Sequence, residues 1–156
     1  MQSENIERLS CKLEDKHSCC SNKEKADIDL RSHWDDVYNG QTVNKLGWYE
    51  ENPEPSLRLI KKAHLEPDAS ILNVGAGATT LVDELLKRNY SNIIVNDISE
   101  VALDKLKARL AEQADQIKWM VDDLTKPKVL TDLGKIDLWH DRAVLHFFLK
   151  ESDELL

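Results

Sequence analysis

The sequence predicts an α/β fold: a parallel sheet with helices on both faces. Four short apolar runs rich in β-branched residues, 71–74, 93–95, 117–121 and 136–139, alternate with segments whose apolar residues recur at helical spacing. Runs that short and that continuously apolar suit strands buried on both faces. Parallel strands need crossovers long enough to hold a helix, and the intervening segments have that length. The first run also ends in Gly75-Ala76-Gly77, where glycine lets the backbone turn sharply into the next helical segment.

Ahead of the sheet, residues 1 to 26 are rich in Ser, Glu, Lys and Asn, with few large apolar side chains, and read as a flexible leader. The single domain is expected over residues 27–156. From Asp27, the residues Ile28, Leu30, Trp34, Val37 and Tyr38 recur at near-helical spacing and stop at Asn39-Gly40. Residues 41–52 read as a loop. Pro53 and Pro55 open a second helix with an apolar face of Leu57, Leu59, Ile60 and Ala63. A third helix is expected from about Thr79 to Arg88, and a fourth after Ser99, a good N-cap, through Val101, Leu103, Leu106 and Leu110.

Composition narrows the function. The chain has 156 residues, 41% hydrophobic and 32% charged, and no apolar run long enough to cross a bilayer. Its first residues lack the basic start and apolar stretch of a secretory signal, so the cytoplasm is the expected compartment. A net charge of −8 with interleaved signs repels phosphate backbones, which argues against non-specific nucleic-acid binding. Cys11, Cys19 and Cys20 are an odd number confined to the leader, so no disulfide framework is expected. His17 beside adjacent cysteines lacks the spaced pairs of a zinc site, and no metal is expected.

The glycine turn carries the chemistry. Strand Ile71-Leu72-Asn73-Val74 runs into Gly75-Ala76-Gly77-Ala78-Thr79-Thr80, where free amides at a helix start attract a carboxylate or phosphate. About 20 residues on, Asp97 with Ile98 closes the second strand, where an acid can bind two ribose hydroxyls. A dinucleotide fingerprint asks for a third glycine where this chain has Thr80, which weakens an NAD-dependent oxidoreductase reading.

The order of strand, Gly-x-Gly, acid after the second strand and Asp122-Asp123 after the third resembles the class I S-adenosylmethionine-dependent methyltransferases. The resemblance implies a Rossmann-like sheet and S-adenosyl-L-methionine as cofactor. By it, Gly75, Ala76 and Gly77 line the cofactor's amino-acid part, Asp97 and Ile98 its ribose, and Asp123 with the Leu124 amide its adenine. Asn73 departs from the pattern, standing where many members carry an acid; its amide still offers a hydrogen bond but without charge assistance. His33-Trp34-Asp35-Asp36-Val37-Tyr38 and Gly47-Trp48-Tyr49-Glu50 followed by Ser56-Leu57 resemble the lid of one branch of these enzymes. Tyr38 and Trp48 are the candidates to cover the cofactor, since an aromatic face attracts a sulfonium cation, whereas Trp34 reads as core.

Methyl transfer is a displacement at cationic sulfur, so the protein aligns the acceptor and, where needed, removes its proton. His140, Asp141 and Arg142, at the C-terminal end of the fourth strand, are the candidates, although an ion pair or a helix cap explains Asp141 and Arg142 equally well; His146 reads as packing in a short helix. The family's sheet continues with further strands, so by resemblance this chain lacks its C-terminal strands. The open edge beside the fourth strand is then expected to invite self-association. The methyl acceptor is not legible. A cofactor-binding but inactive fragment and a protein interaction module stand as alternatives.

Overall fold

The computed structural model describes residues 29–148. The expected leader, with its cysteines and its lack of bound metal, therefore lies outside the described residues. Helix α1 spans Leu30–Gly40 and is capped by Asp29, whose carboxylate accepts the Arg31 and Ser32 amides at 3.1 and 3.3 Å. Such a cap satisfies amides that the first turn leaves without partners. The loop beyond it holds a single 3₁₀ turn at Val43–Lys45, and α2 follows at Glu54–Lys62.

The sheet then builds outward and back: β1 Ile71–Val74, α3 Leu81–Lys87, β2 Ile93–Asp97, α4 Glu100–Leu110, β3 Ile117–Val121 and β4 Leu138–Asp141. All pairings are parallel, in the order β3-β2-β1-β4, with Ile71 opposite both Ile93 and Leu138. This is the Rossmann-like parallel sheet that the alternation predicts. After β3 the chain crosses to the far side of β1, so the sheet's switch point lies between β1 and β4. Ligands bind in the crevice at such a point, beyond the strands' carboxyl ends.

Alternation along β1 divides the core. Ile71 joins Ile93, Val95 and Ile117 in a cluster roofed by Leu57 and Ile60 of α2, Val82 and Leu85 of α3, and Leu103 and Leu106 of α4. Leu72 and Val74 face the other way, with Ile94, Met120, Leu124 and Leu130, and there the cover comes from Leu133, Ile136, Val144 and Phe148. Among the described residues, then, three helices cover one face and the segments flanking β4 cover the other. Each of these buried aliphatic side chains contributes about 1.5–3 kcal/mol through removal from water.

Two elements are displaced from their expected bounds. The fourth strand is Leu138–Asp141, two residues later than the expected 136–139. Ile136 is drawn into the second-face cluster, and Asp137 is held by Ser70, whose amide donates to its Oδ2 at 3.0 Å. Helix α3 starts at Leu81 rather than about Thr79, after a turn in which the Thr79 hydroxyl donates to the Ala76 carbonyl at 3.0 Å and the Thr80 hydroxyl to the Glu50 carbonyl at 2.8 Å. None of the described helices is long and apolar enough to cross a membrane.

Candidate functional site

Gly75 and Gly77 both have positive φ, +52° and +56°, a region that side chains make costly. The space around them is also occupied. A Cβ on Gly75 would meet Val144, and one on Gly77 would meet the Tyr38 hydroxyl. The turn is clamped from behind by Arg109 of α4, which donates to the Ala78 and Thr79 carbonyls at 2.5 Å and pairs with Asp83 at 2.7 Å.

Asp97 sits directly against this turn. Its Oδ2 accepts the Gly77 amide at 2.7 Å and its Oδ1 the Ser99 amide at 2.8 Å. Burial raises its pKa from an ordinary 3.8 to about 6, although the Ser99, Gly77 and Ile98 amides pull the other way. Asp35 of α1 accepts the Ser99 hydroxyl at 2.6 Å, pinning the first helix to the start of α4.

The two acids after β3 have different tasks. Asp122 is buried; burial pushes its pKa up, but the Leu130, Lys128, Val129 and Asp123 amides outweigh it and hold the group below the ordinary carboxylate range. It therefore organises the loop that covers the second face. Asp123 is only partly buried and bonds locally, its Oδ1 accepting both the amide and the hydroxyl of Thr125 at 2.8 Å. Leu124 turns its side chain into the second-face core, and Ile98 is partly exposed beside Asp97.

The lid pair forms a lattice with the first helix. Trp48 donates its indole N–H to the Tyr38 hydroxyl at 3.3 Å, and Trp34 meets Trp48 and Phe147 edge-on at 5.5 and 5.4 Å. Burial, then the Asp97 charge, holds the Tyr38 hydroxyl protonated well above the ordinary tyrosine range. Tyr38 thus closes on Gly77, while Trp48 borders a cleft shared with Asn73, Gly75 and Ala76. That cleft encloses about 20 Å³, room for about one water.

His140, Asp141 and Arg142 do lie at the switch point, as the sequence predicts, but each has structural partners. His140 joins Asn73 Oδ1 through Nδ1 at 2.8 Å and Ser56 Oγ through Nε2 at 2.9 Å. Burial lowers its pKa, with smaller opposing contributions from Asp141 and Glu50, so the ring is neutral at pH 7. Asp141 caps the following turn by accepting the Leu145 amide at 3.2 Å. Arg142 donates to the Trp48 carbonyl at 2.6 Å and lies 3.5 Å from the Glu50 carboxylate.

Sequence reasoning missed Glu50, Ser56 and Thr80 as site residues. All three border the same cleft. Two polar atoms there are shut off from solvent and lack a hydrogen-bond partner, Asn73 Nδ2 and Glu50 Oε2. Buried polar groups are rarely left in that condition, and a donor and an acceptor orphaned on one cleft fit a ligand carrying both kinds of group.

Residues 71–156, more than half of the chain, match a family model described as a methyltransferase domain. EEF1A lysine methyltransferase 2 of Mus musculus is 34% identical over 110 residues, covering 64% of this chain and 45% of that protein. The Homo sapiens protein of the same name is 34% identical over 106 residues, covering 62% and 44%. The eEF1A lysine and N-terminal methyltransferase of Bos taurus is 26% identical over 124 residues, covering 75% and 17%. The chain thus spans less than half the length of these three relatives. Sheet order, the glycine turn against Asp97 and the extent of the match agree, and the chain belongs to the methyltransferase domain family in its class I form.

Proposed function

We propose that the chain binds S-adenosyl-L-methionine and transfers its methyl group to an amine of a protein, with lysine as the acceptor side chain. The observation that carries this reading is the Asp97 carboxylate held against the Gly77 amide at the switch point of a parallel sheet. The amine class rests on the relatives named as lysine methyltransferases.

The cofactor supplies an electrophilic methyl group on a sulfonium. The chain's own residues bind and align. Asp97 accepts the ribose hydroxyls, and Asp123 with the Leu124 amide faces the adenine. Gly75, Ala76 and Gly77 let the backbone approach the amino-acid tail, while Trp48, on the cleft and bonded through its indole N–H to Tyr38, is the aromatic side chain that would cover the cation. His140 is a positioning residue: neutral and bonded at both nitrogens, it sets the orientation of the Asn73 amide and is not free to take the acceptor's proton. Holding acceptor and methyl in line supplies most of what a displacement at sulfur asks of a protein.

Cofactor binding without transfer is the second reading, favoured by the structural partners of His140, Asp141 and Arg142. One assay separates the two. With isotopically labelled S-adenosylmethionine and eEF1A as the first acceptor tried, methylation located on lysine by mass spectrometry supports transfer. Tight binding of S-adenosylhomocysteine with no labelled acceptor, in an extract as well as with eEF1A, supports the second reading.

A further inference from the structure

The cleft between the lid loop and β1 carries charges that cofactor recognition by Asp97 does not use. Among the described residues, Glu50 is the only carboxylate that borders it, and Arg142 the only cation. They are paired at 3.5 Å, well beyond the 2.7–2.9 Å of a strong charge-assisted bond, and Glu50 Oε2 has no hydrogen-bond donor. On the same cleft, Asn73 has the orphaned Nδ2, while its Oδ1 is occupied by His140. Asn73 on β1 is therefore uncharged and donates, while Glu50 of the loop and Arg142 just after β4 form a loosely paired carboxylate and guanidinium.

Glu50 is held in place from two directions. Its own carbonyl accepts the Thr80 hydroxyl at 2.8 Å, and the Trp48 carbonyl two residues earlier accepts Arg142 at 2.6 Å. These bonds fasten the loop to the start of α3 and to the end of β4, and Glu50 borders the cleft. A ligand with an ammonium and a carboxylate on one carbon satisfies every open group: the ammonium takes Glu50, and the carboxylate takes Arg142 and Asn73 Nδ2. In a water-poor cleft such pairs are stronger than at the surface.

We propose that this cleft is a zwitterion site in which Glu50 supplies the counter-charge for the α-ammonium of the cofactor's amino-acid tail, a role that the uncharged Asn73 cannot fill. The proposal rests on the S-adenosylmethionine reading above. It also makes Glu50 a determinant of cofactor choice, since nucleosides without the amino-acid tail gain nothing from it.

The test is calorimetric titration of the full chain with S-adenosylhomocysteine and with 5′-methylthioadenosine, which keeps the nucleoside and sulfur but lacks the zwitterion. Wild type is expected to prefer S-adenosylhomocysteine. Glu50→Gln should weaken it tenfold or more and leave 5′-methylthioadenosine unchanged. Asn73→Asp sets a negative charge where the ligand's carboxylate takes the Asn73 Nδ2 donor, so it should weaken S-adenosylhomocysteine only. Equal losses for both ligands, or no loss, would overturn the assignment of Glu50 while leaving cofactor binding intact. Binding of neither ligand to wild type would overturn the S-adenosylmethionine reading and this proposal with it.

Discussion

The Gly77 amide donates to Asp97 Oδ2 at 2.7 Å, joining the turn after β1 to the end of β2. The same carboxylate holds Ser99, the cap of α4, at 2.8 Å. One buried acid therefore fixes the glycine turn and the start of the next helix, and the proposed function asks it to bind ribose as well. Asp97→Asn keeps the shape and removes the charge. It should weaken S-adenosylhomocysteine binding by roughly 1–3 kcal/mol, read by calorimetry, because hydrogen bonds to a charged acceptor are worth that much.

The raised pKa of Asp97, about 6, gives binding and stability opposite pH dependences. Cofactor binding needs the carboxylate, so affinity should fall as pH drops through about 6. Stability runs the other way. The folded state holds its proton more tightly than the unfolded chain, so this group's contribution is full below the ordinary 3.8 and is lost as pH rises through about 6. The loss is on the order of 2–3 kcal/mol. Denaturant melts and titrations at matched pH values check both signs, and in Asp97→Asn both slopes should flatten.

Gly77→Ala sets a Cβ against the Tyr38 hydroxyl at φ +56°. It should destabilise the fold by about 1–3 kcal/mol through strain and overpacking. Adding Tyr38→Phe removes the oxygen in the way and should recover the steric part, leaving the backbone strain. A double-mutant cycle on melting free energies measures that coupling.

His140 is neutral between Asn73 and Ser56 because burial lowers its pKa. Its folded pKa lies below the ordinary 6.5, so its contribution is present above that pH and lost as pH falls through the lowered value. His140→Ala leaves the Asn73 and Ser56 side chains without their partner and should cost about 1–3 kcal/mol of stability. Nitrogen NMR of the ring checks the protonation state: a single neutral tautomer at pH 7 is expected.

Much of this fold was legible because its signals are local. Ser99 marks the start of α4 and Asn39-Gly40 the end of α1, and the apolar runs that become β1, β2 and β3 need no knowledge of their neighbours. β4 was misplaced by two residues because Asp137 answers to Ser70, 67 positions away. The site divides the same way. Gly75, Gly77 and Asp97 follow from spacing along strand and turn. Glu50 and Ser56 reach the cleft only through the folding of the lid loop and α2 over β1, and the bonds that engage His140 at both nitrogens span 67 and 84 positions. A residue's type and place at a strand end suggested chemistry for His140; its partners support the positioning role proposed for it.

Cofactor identity is the claim on which the rest depends, and it is tested most directly by titrating the chain with S-adenosylhomocysteine and, separately, with NAD under the same conditions. The glycine turn, Asp97 and the paired orphan atoms of Asn73 and Glu50 predict saturable binding of S-adenosylhomocysteine, with NAD at least tenfold weaker. NAD binding as tightly as S-adenosylhomocysteine, or more tightly, would contradict the account.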